Sequence, residues 1–276
     1  MPFPPADPDL LRAIAERGYG EPTPVQGAVL QPDALGRDLL ASAQTGSGKT
    51  LAYGLAIAPD LRGDAGRLEP AGPPLGLVVV PTRELALQVQ HELACLYAYA
   101  GARVVSCVGG TDIRREQRGL VRGAHIVVGT PGRLRDHLER GHLDASRLRA
   151  VVLDEADEML DLGFREDLEF ILEATPADRR TLLFSATIPR GIAALAKRYQ
   201  PDALRIAASV EDEPHGDIEY RAIRIAPNER EHAVVNVLRY FEARGALVFC
   251  STREAVKHLY GNLLDGASPW WRYPAN

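Results

Sequence analysis

Residues 43–50 read Ala-Gln-Thr-Gly-Ser-Gly-Lys-Thr, and the types in that run suit a polyphosphate. Gly46 and Gly48 carry no Cβ and let the backbone approach an anion closely, while the N–H groups of a following helix would point at it. Lys49 offers a compact, flexible ammonium able to reach β and γ oxygens, and the Thr50 hydroxyl can ligate magnesium. The chain's composition underlines Lys49: of 32 basic residues only Lys49, Lys197 and Lys257 are lysines. An ammonium stands here where a planar guanidinium would fit poorly. The strict phosphate-loop pattern begins with Gly, and that place is held by Ala43. Further on, AVVLDEAD at 150–157 runs an apolar segment into carboxylates. Asp154 could hold the metal through water, and Glu155 could orient and deprotonate an attacking water. Alone, the acidic run reads as a solvated turn. Downstream of a phosphate loop it reads as the second half of a triphosphate site.

Such a site needs strands that end together. Short apolar runs at 38–42, 75–80, 103–108, 125–129, 150–154 and 181–185 have the look of strands buried on both faces. Helix signals alternate with them: Thr82 before RELALQVQHELACLYAYA, Thr130 with Pro131 before GRLRDHLER, and Pro189 before RGIAALAKRY. Alternating β and α predicts an α/β fold with a mostly parallel sheet and helices on both faces. Residues 62–74 are rich in Gly, Pro and charge and read as a surface loop. Residues 207–217, AASVEDEPHGD, are acidic and aperiodic and read as an interdomain linker. Beyond it a strand (218–226), a helix (229–243), a strand (246–250) and a helix (253–264) restart the rhythm, which then fails in a tail ending WWRYPAN.

Composition narrows the classes. At 276 residues the chain accommodates one whole α/β domain and part of another. No apolar run is long enough to span a membrane, and the N-terminus lacks the pattern of a secretory signal, so a cytoplasmic location is expected. Cys95, Cys107 and Cys250 are widely spaced within apolar runs and read as buried thiols of a reducing compartment. The seven histidines show no metal-ligand spacing with one another. The net charge of −5 does not advertise nucleic-acid binding, so any polyanion must meet a local patch. The cluster RREQR at 114–118 reads as a solvated helix face.

Taken together and in order, the motifs resemble those of the DEAD-box family of ATP-dependent RNA helicases, over roughly residues 3–264. GYGEPTPVQ at 18–26 is similar to the family's Q motif. The resemblance implies that Gln26 reads the adenine edge while Tyr19 and Phe3 pack near the base. It also accounts for Ala43, since Ala is usual there in the helicase form of the loop. ATP binding is thereby assigned to Phe3, Tyr19, Gln26, Ala43, Gln44, Thr45, Gly46, Ser47, Gly48, Lys49 and Thr50. Lys49, Asp154 and Glu155 take the catalytic roles, with magnesium on Thr50 and Asp154. PTRELA, the pair Gly109 and Gly110, and TPGR match segments that grip the RNA backbone without regard to base sequence. These place Pro81, Thr82, Arg83, Gly109, Gly110, Thr130, Pro131, Gly132 and Arg133 on RNA. Asp157 with Ser185, Ala186 and Thr187 matches the couple between ATP site and strand separation.

The implied architecture is a P-loop NTPase RecA-like domain (1–208, with the Q motif in 1–27), a linker (209–217), an incomplete second RecA-like domain (218–264) and an irregular tail (265–276). The departure lies in that second part. LVFCSTREAVKHLYGNLL matches its opening, but nothing matches the later ARGxDxP and HRxGRxGR motifs, which carry the arginines that neutralise the γ-phosphate. Two readings follow: an RNA-stimulated ATPase and helicase whose chain is cut short by a frameshift, early stop or fragmentary gene, or an ATP- and RNA-binding module without unwinding activity.

Overall fold

The computed structural model describes residues 3, 7–44, 46–63, 66–207, 219, 221–226, 229–242 and 245–264. The chain forms two compact units, Met1–Asp212 and Glu213–Asn276. The first holds a sheet of seven strands: β1 (Leu39–Ser42), β2 (Gly76–Val79), β3 (Val104–Cys107), β4 (Ile126–Gly129), β5 (Ala150–Leu153), β6 (Arg180–Ser185) and β7 (Leu204–Ala207). All six neighbouring pairs are parallel, in the order β3-β4-β2-β5-β6-β1-β7. The six apolar runs expected as strands each contain one of β1 to β6. β7 pairs with β1 at the sheet edge but was not legible, because its burial alternates along LRIA, with Arg205 and Ala207 exposed, and the run leads straight into the acidic stretch read as linker.

Parallel pairing sends every strand's C-terminal end to the same edge of the sheet, where ligands gather in open α/β folds. The strand order sorts the motifs there. β5, β6 and β1 are consecutive in the sheet, so DEAD, SAT and the phosphate loop emerge side by side. β3, β4 and β2 are likewise consecutive, and the glycine pair, TPGR and PTR leave from their ends.

The central strands are buried along their whole length, with Leu77, Val79, Val127, Val151 and Leu153 packed on one face and Val78, Ile126, Val128, Val152 and Phe184 on the other. Helices cover both faces: α1 (Pro8–Glu16), α2 (Pro24–Val29), α3 (Lys49–Ala56), α4 (Ala58–Arg62), α5 (Arg83–Leu96), α6 (Ile113–Val121), α7 (Pro131–Glu139), α8 (Ala156–Asp161), α9 (Arg165–Glu173) and α10 (Arg190–Tyr199). The expected starts are seen. The Thr82 hydroxyl accepts from the Leu85 N–H at 3.3 Å, Thr130 precedes Pro131 at the first turn of α7, and Pro189 caps α10. The expected loop at 62–74 is pinned by a bridge between Gly72 and Ala124.

Gly129 shows how tightly this edge is drawn. A Cβ there would lie 2.5 Å from the Cys107 carbonyl oxygen and 2.8 Å from the Leu134 side chain. Gly129→Ala therefore has to push β4 off β3 or displace α7, and it is expected to lower unfolding stability by about 1–3 kcal/mol, as a shifted urea midpoint would report.

The second unit departs from expectation. Helices α11 (Arg230–Tyr240) and α12 (Arg253–Leu264) occupy the predicted spans. The strands expected at 218–226 and 246–250 are not seen among the described residues, where 221–226 and 245–250 make no ladder. Leu247 and Phe249 are 88 % and 90 % exposed. A buried parallel strand needs neighbours on its edges and cover on its faces, and the described residues of this unit supply neither. The linker at 209–217 and the tail at 265–276 lie outside the described residues.

Candidate functional site

The phosphate loop runs from the end of β1 into α3. Gly46 and Gly48 have φ of 83° and 84°, in the left-handed region that glycine enters without steric cost. A Cβ on Gly48 would also collide with the Gln26 amide. Lys49 opens α3 but turns back beneath the loop. It is only 6 % exposed, with its Nζ 3.4 Å from the Ala43 carbonyl oxygen and 3.7 Å from both Asp154 Oδ1 and Glu155 Oε1. The ammonium is thus held by the two acidic residues at the end of β5. Thr45 lies outside the described residues, and Gln44 is exposed.

Asp154 is 2 % exposed. Burial pushes its pKa up to about 6 against the pull of Lys49, and Glu155 adds to the rise. Glu155 has φ 52° and ψ 49°, left-handed backbone in a residue with a Cβ, at the N-cap of α8. Non-glycine residues persist there when surrounding structure enforces the turn, and such positions cluster at functional sites. The Tyr53 hydroxyl, fully buried on α3, lies beside Asp154 and Thr50 without a hydrogen bond of ordinary geometry. The Ser47 hydroxyl is buried without a partner as well. Buried polar groups left waiting around a glycine cradle, an ammonium and a carboxylate fit a magnesium polyphosphate.

Gln26 bridges the Q motif to the loop: its Oε1 accepts from the Thr23 N–H at 3.0 Å and its Nε2 donates to the Gly48 carbonyl at 3.1 Å. With Tyr19, Glu21, Lys49, Thr50, Asp154 and Glu155 it lines a cleft of about 600 Å³. Tyr19 is half-exposed at its rim, whereas Phe3 packs against the core. Asp157, two residues past Glu155, accepts from the Thr187 N–H at 3.0 Å and hydroxyl at 2.8 Å. Burial would raise its pKa, but the Thr187 donors help hold it below the usual carboxylate value. DEAD and SAT are therefore joined directly, with buried Ser185 at the end of β6 and Ala186 exposed beyond it.

On the adjoining half of the edge, Arg83 is exposed, and a Cβ on Gly110 would lie 2.5 Å from its Nη1. Pro81 and Pro131 are buried, Thr82 and Thr130 are half-buried, and Gly132 is exposed at the start of α7. Arg133 differs from Arg83: its side chain is 14 % exposed and donates to Glu116 Oε2 at 2.9 Å.

The sequence profile of the DEAD/DEAH box helicases matches residues 23–195. The chain belongs to this family. It is 38 % identical over 253 residues to a DEAD-box ATP-dependent RNA helicase CshA of Geobacillus kaustophilus, covering 91 % of this chain and 52 % of that one. It is 36 % identical over 262 residues to an ATP-dependent RNA helicase DbpA of Bacillus subtilis, covering 95 % and 53 %. A crystal structure of a DEAD box protein from the hyperthermophile Methanococcus jannaschii superposes with a TM-score of 0.66 at 36 % identity, over 95 % of this chain and 69 % of that chain. The chain spans about half the length of these curated relatives.

Within this DEAD-box domain one acidic residue escaped the sequence reading. Arg114, Arg115 and Arg118 of the RREQR cluster are exposed, as a solvated face requires, but Glu116 between them is buried. The available signal was its spacing, since Glu116 shares a helix face with Ile113 and Leu120, three and four residues away. The histidines carry a second surprise. His137 is fully buried, with its ring nitrogen 2.7 Å from Glu116 Oε2, in a place no spacing within the sequence could reveal.

Proposed function

We propose that the Met1–Asp212 unit binds magnesium ATP in the Gln26-to-Glu155 cleft and the backbone of single-stranded RNA along the β3-β4-β2 edge, and that the whole protein hydrolyses ATP to open short RNA duplexes. The observation that carries this reading is the convergence of Lys49, Asp154 and Glu155 beyond the ends of β1 and β5, the two parallel strands that flank β6, directly joined through Asp157 and Thr187 to SAT. The printed names of the relatives, ATP-dependent RNA helicases, support it.

In this reading the loop backbone over Ala43, Gln44, Thr45, Gly46, Ser47 and Gly48 cradles the phosphates, and Lys49 leaves the carboxylates to meet the β and γ oxygens. Thr50 and Asp154 would hold magnesium, which when bound neutralises charge on the phosphate oxygens. Glu155 accepts the proton of the attacking water. Gln26 and Tyr19 select adenine, with Phe3 supporting the base side of the cleft. Thr82, Arg83, Gly109, Gly110, Thr130 and Gly132 offer N–H groups, hydroxyls and one open guanidinium to phosphates, a set blind to base sequence, while Pro81 and Pro131 shape the turns that present them. We assign 1–208 as the ATP-binding domain and 218–264 as part of a second RecA-like domain. Of the three cysteines expected to be buried only Cys107 is, Cys95 and Cys250 being half-buried, and all three are free, which fits a reducing, cytoplasmic compartment. Among the described residues no helix is long and apolar enough to cross a membrane.

A second reading, binding without unwinding, is favoured by the second unit, where Leu247 and Phe249 lie open and the described residues of the expected strands make no ladder. Steady-state ATP hydrolysis with and without single-stranded RNA decides between them. RNA-stimulated turnover that disappears in Lys49→Ala supports catalysis by this chain. Retained nucleotide and RNA binding with no turnover supports the binding module, and loss of both kinds of binding refutes the proposal.

A further inference from the structure

Glu116 accepts four donors. Its Oε1 takes the Val108 N–H at 2.9 Å and the Thr111 hydroxyl, and its Oε2 takes Arg133 Nη1 at 2.9 Å and His137 Nε2 at 2.7 Å. An ionised carboxylate only accepts, so the His137 nitrogen facing it carries the proton. Arg133 also donates through Nη2 to the Thr111 carbonyl at 3.4 Å. Val108 and Thr111 flank Gly109 and Gly110, while Arg133 and His137 belong to the first two turns of α7. One buried side chain therefore ties the glycine loop after β3 to the helix after β4.

The Cys107 thiol, Glu116 and His137 present donor atoms within 4.8 Å of one another. A metal is nonetheless the wrong occupant. A carboxylate has about four lone-pair positions, and here all four face donors, one of them a guanidinium that would repel a cation. The Cys107 thiol is pushed up to about 12 by burial and by Glu116, and it stays neutral. The group is an ion-pair hub whose carboxylate is fully engaged, while His137 Nδ1 is buried without a partner among the described residues.

We propose that Glu116 and Arg133 are positioning residues for the RNA-binding edge, and that Arg133, whose motif resembles an RNA-gripping one, makes no phosphate contact. The inference rests on the RNA reading above. Glu116 neutralises Arg133 and holds it against the Thr111 carbonyl, so that the pair fixes the backbone of Gly109, Gly110 and Thr130 for RNA. Of the two arginines in PTR and TPGR, Arg83 is the exposed one.

The test is the affinity of the full 276-residue chain for a labelled single-stranded oligouridine across a salt series, with magnesium and a non-hydrolysable ATP analogue. Each phosphate-contacting cation contributes about 0.7 to the slope of log affinity against log salt. Arg83→Ala is expected to lower the slope by about that amount. Glu116→Gln and Arg133→Lys are expected to weaken RNA binding about ten-fold at every salt concentration, with the slope and the affinity for the ATP analogue unchanged. Simple electrostatics predicts the opposite sign for Glu116→Gln, because removing an anion from beneath the RNA-binding edge should tighten RNA. Binding by Glu116→Gln or Arg133→Lys as tight as the parent's or tighter, or a slope lowered by Arg133→Ala, overturns the proposal. Should Glu116→Gln fail to fold, the Arg133→Lys affinity decides. A parent chain that binds no RNA overturns the functional reading and this inference together, whereas a binding parent with an unaffected Arg133→Lys overturns this inference alone.

Discussion

Asp154→Asn is expected to raise the melting temperature of the magnesium-free chain by a few degrees at about pH 7.5 and to weaken the magnesium dependence of nucleotide binding by about 10–100-fold. The two effects have one cause. Asp154 is buried at the end of β5, and burial pushes its pKa up to about 6 even with Lys49 beside it. A carboxyl whose folded pKa is raised contributes stability only while protonated. That contribution is complete below the unfolded value near ~4 and is lost as pH rises through about 6. At neutral pH the chain carries an ionised group that its own interior disfavours, and the neutral amide removes that cost. At about pH 5 the native carboxyl is largely protonated but the unfolded one is not, so the advantage of the amide should fall to about half, and it should vanish only below about pH 4. Melting curves at both pH values, with and without magnesium nucleotide, check the prediction. A stability gain of equal size at both would show that ionisation of Asp154 is not its source. A group held ready for a cation at the expense of the empty fold is what a binding site looks like when its ligand supplies the missing charge.

Why the sequence revealed so much of this site, and missed Glu116, follows from what is local. The phosphate loop, DEAD, SAT, PTR and TPGR are short runs at strand ends, and six of the strands are apolar enough on both faces to read directly. The strand order was not readable, yet it is the order that puts the phosphate loop, DEAD and SAT on one half of the edge and the glycine pair, TPGR and PTR on the other. Glu116 is a tertiary fact: its partners come from Val108, Thr111, Arg133 and His137, on two other segments, so no run of residues announces it. The left-handed backbone of Glu155 was equally hidden, because glutamate has no special tendency toward it. The predicted strands at 218–226 and 246–250 failed for the converse reason. Their apolar alternation was genuine, but a strand is a relation between segments, and no partner is seen among the described residues there.

Lys49→Ala is expected to act on folding as well as on ATP, and the size of the first effect depends on pH. The native ammonium lies 3.7 Å from both Asp154 and Glu155 and is almost fully buried with them. Its removal abolishes the charge-assisted bonds to the phosphates, which should cost at least about ten-fold in nucleotide affinity. It also leaves two neighbouring carboxylates without their cation, a change that typically costs about 3–5 kcal/mol for a buried pair. Asp154 can escape part of that cost by taking a proton, since its pKa must rise further once Lys49 is gone. Linkage then fixes the sign: the stability deficit of Lys49→Ala relative to the parent should grow as pH rises above about 6 and narrow below it. Denaturant titrations at about pH 5.5 and pH 8 test this, and a deficit independent of pH would mean that the ammonium and the carboxylates are not coupled as their distances imply. Glu155→Gln separates catalysis from stability, because Lys49 keeps Asp154 as its partner. That variant is expected to retain nucleotide while hydrolysis slows by about 10²–10⁴-fold. If Lys49→Ala and Glu155→Gln lose hydrolysis together but only the former loses nucleotide and pH-dependent stability, the ammonium binds and the glutamate turns over the water.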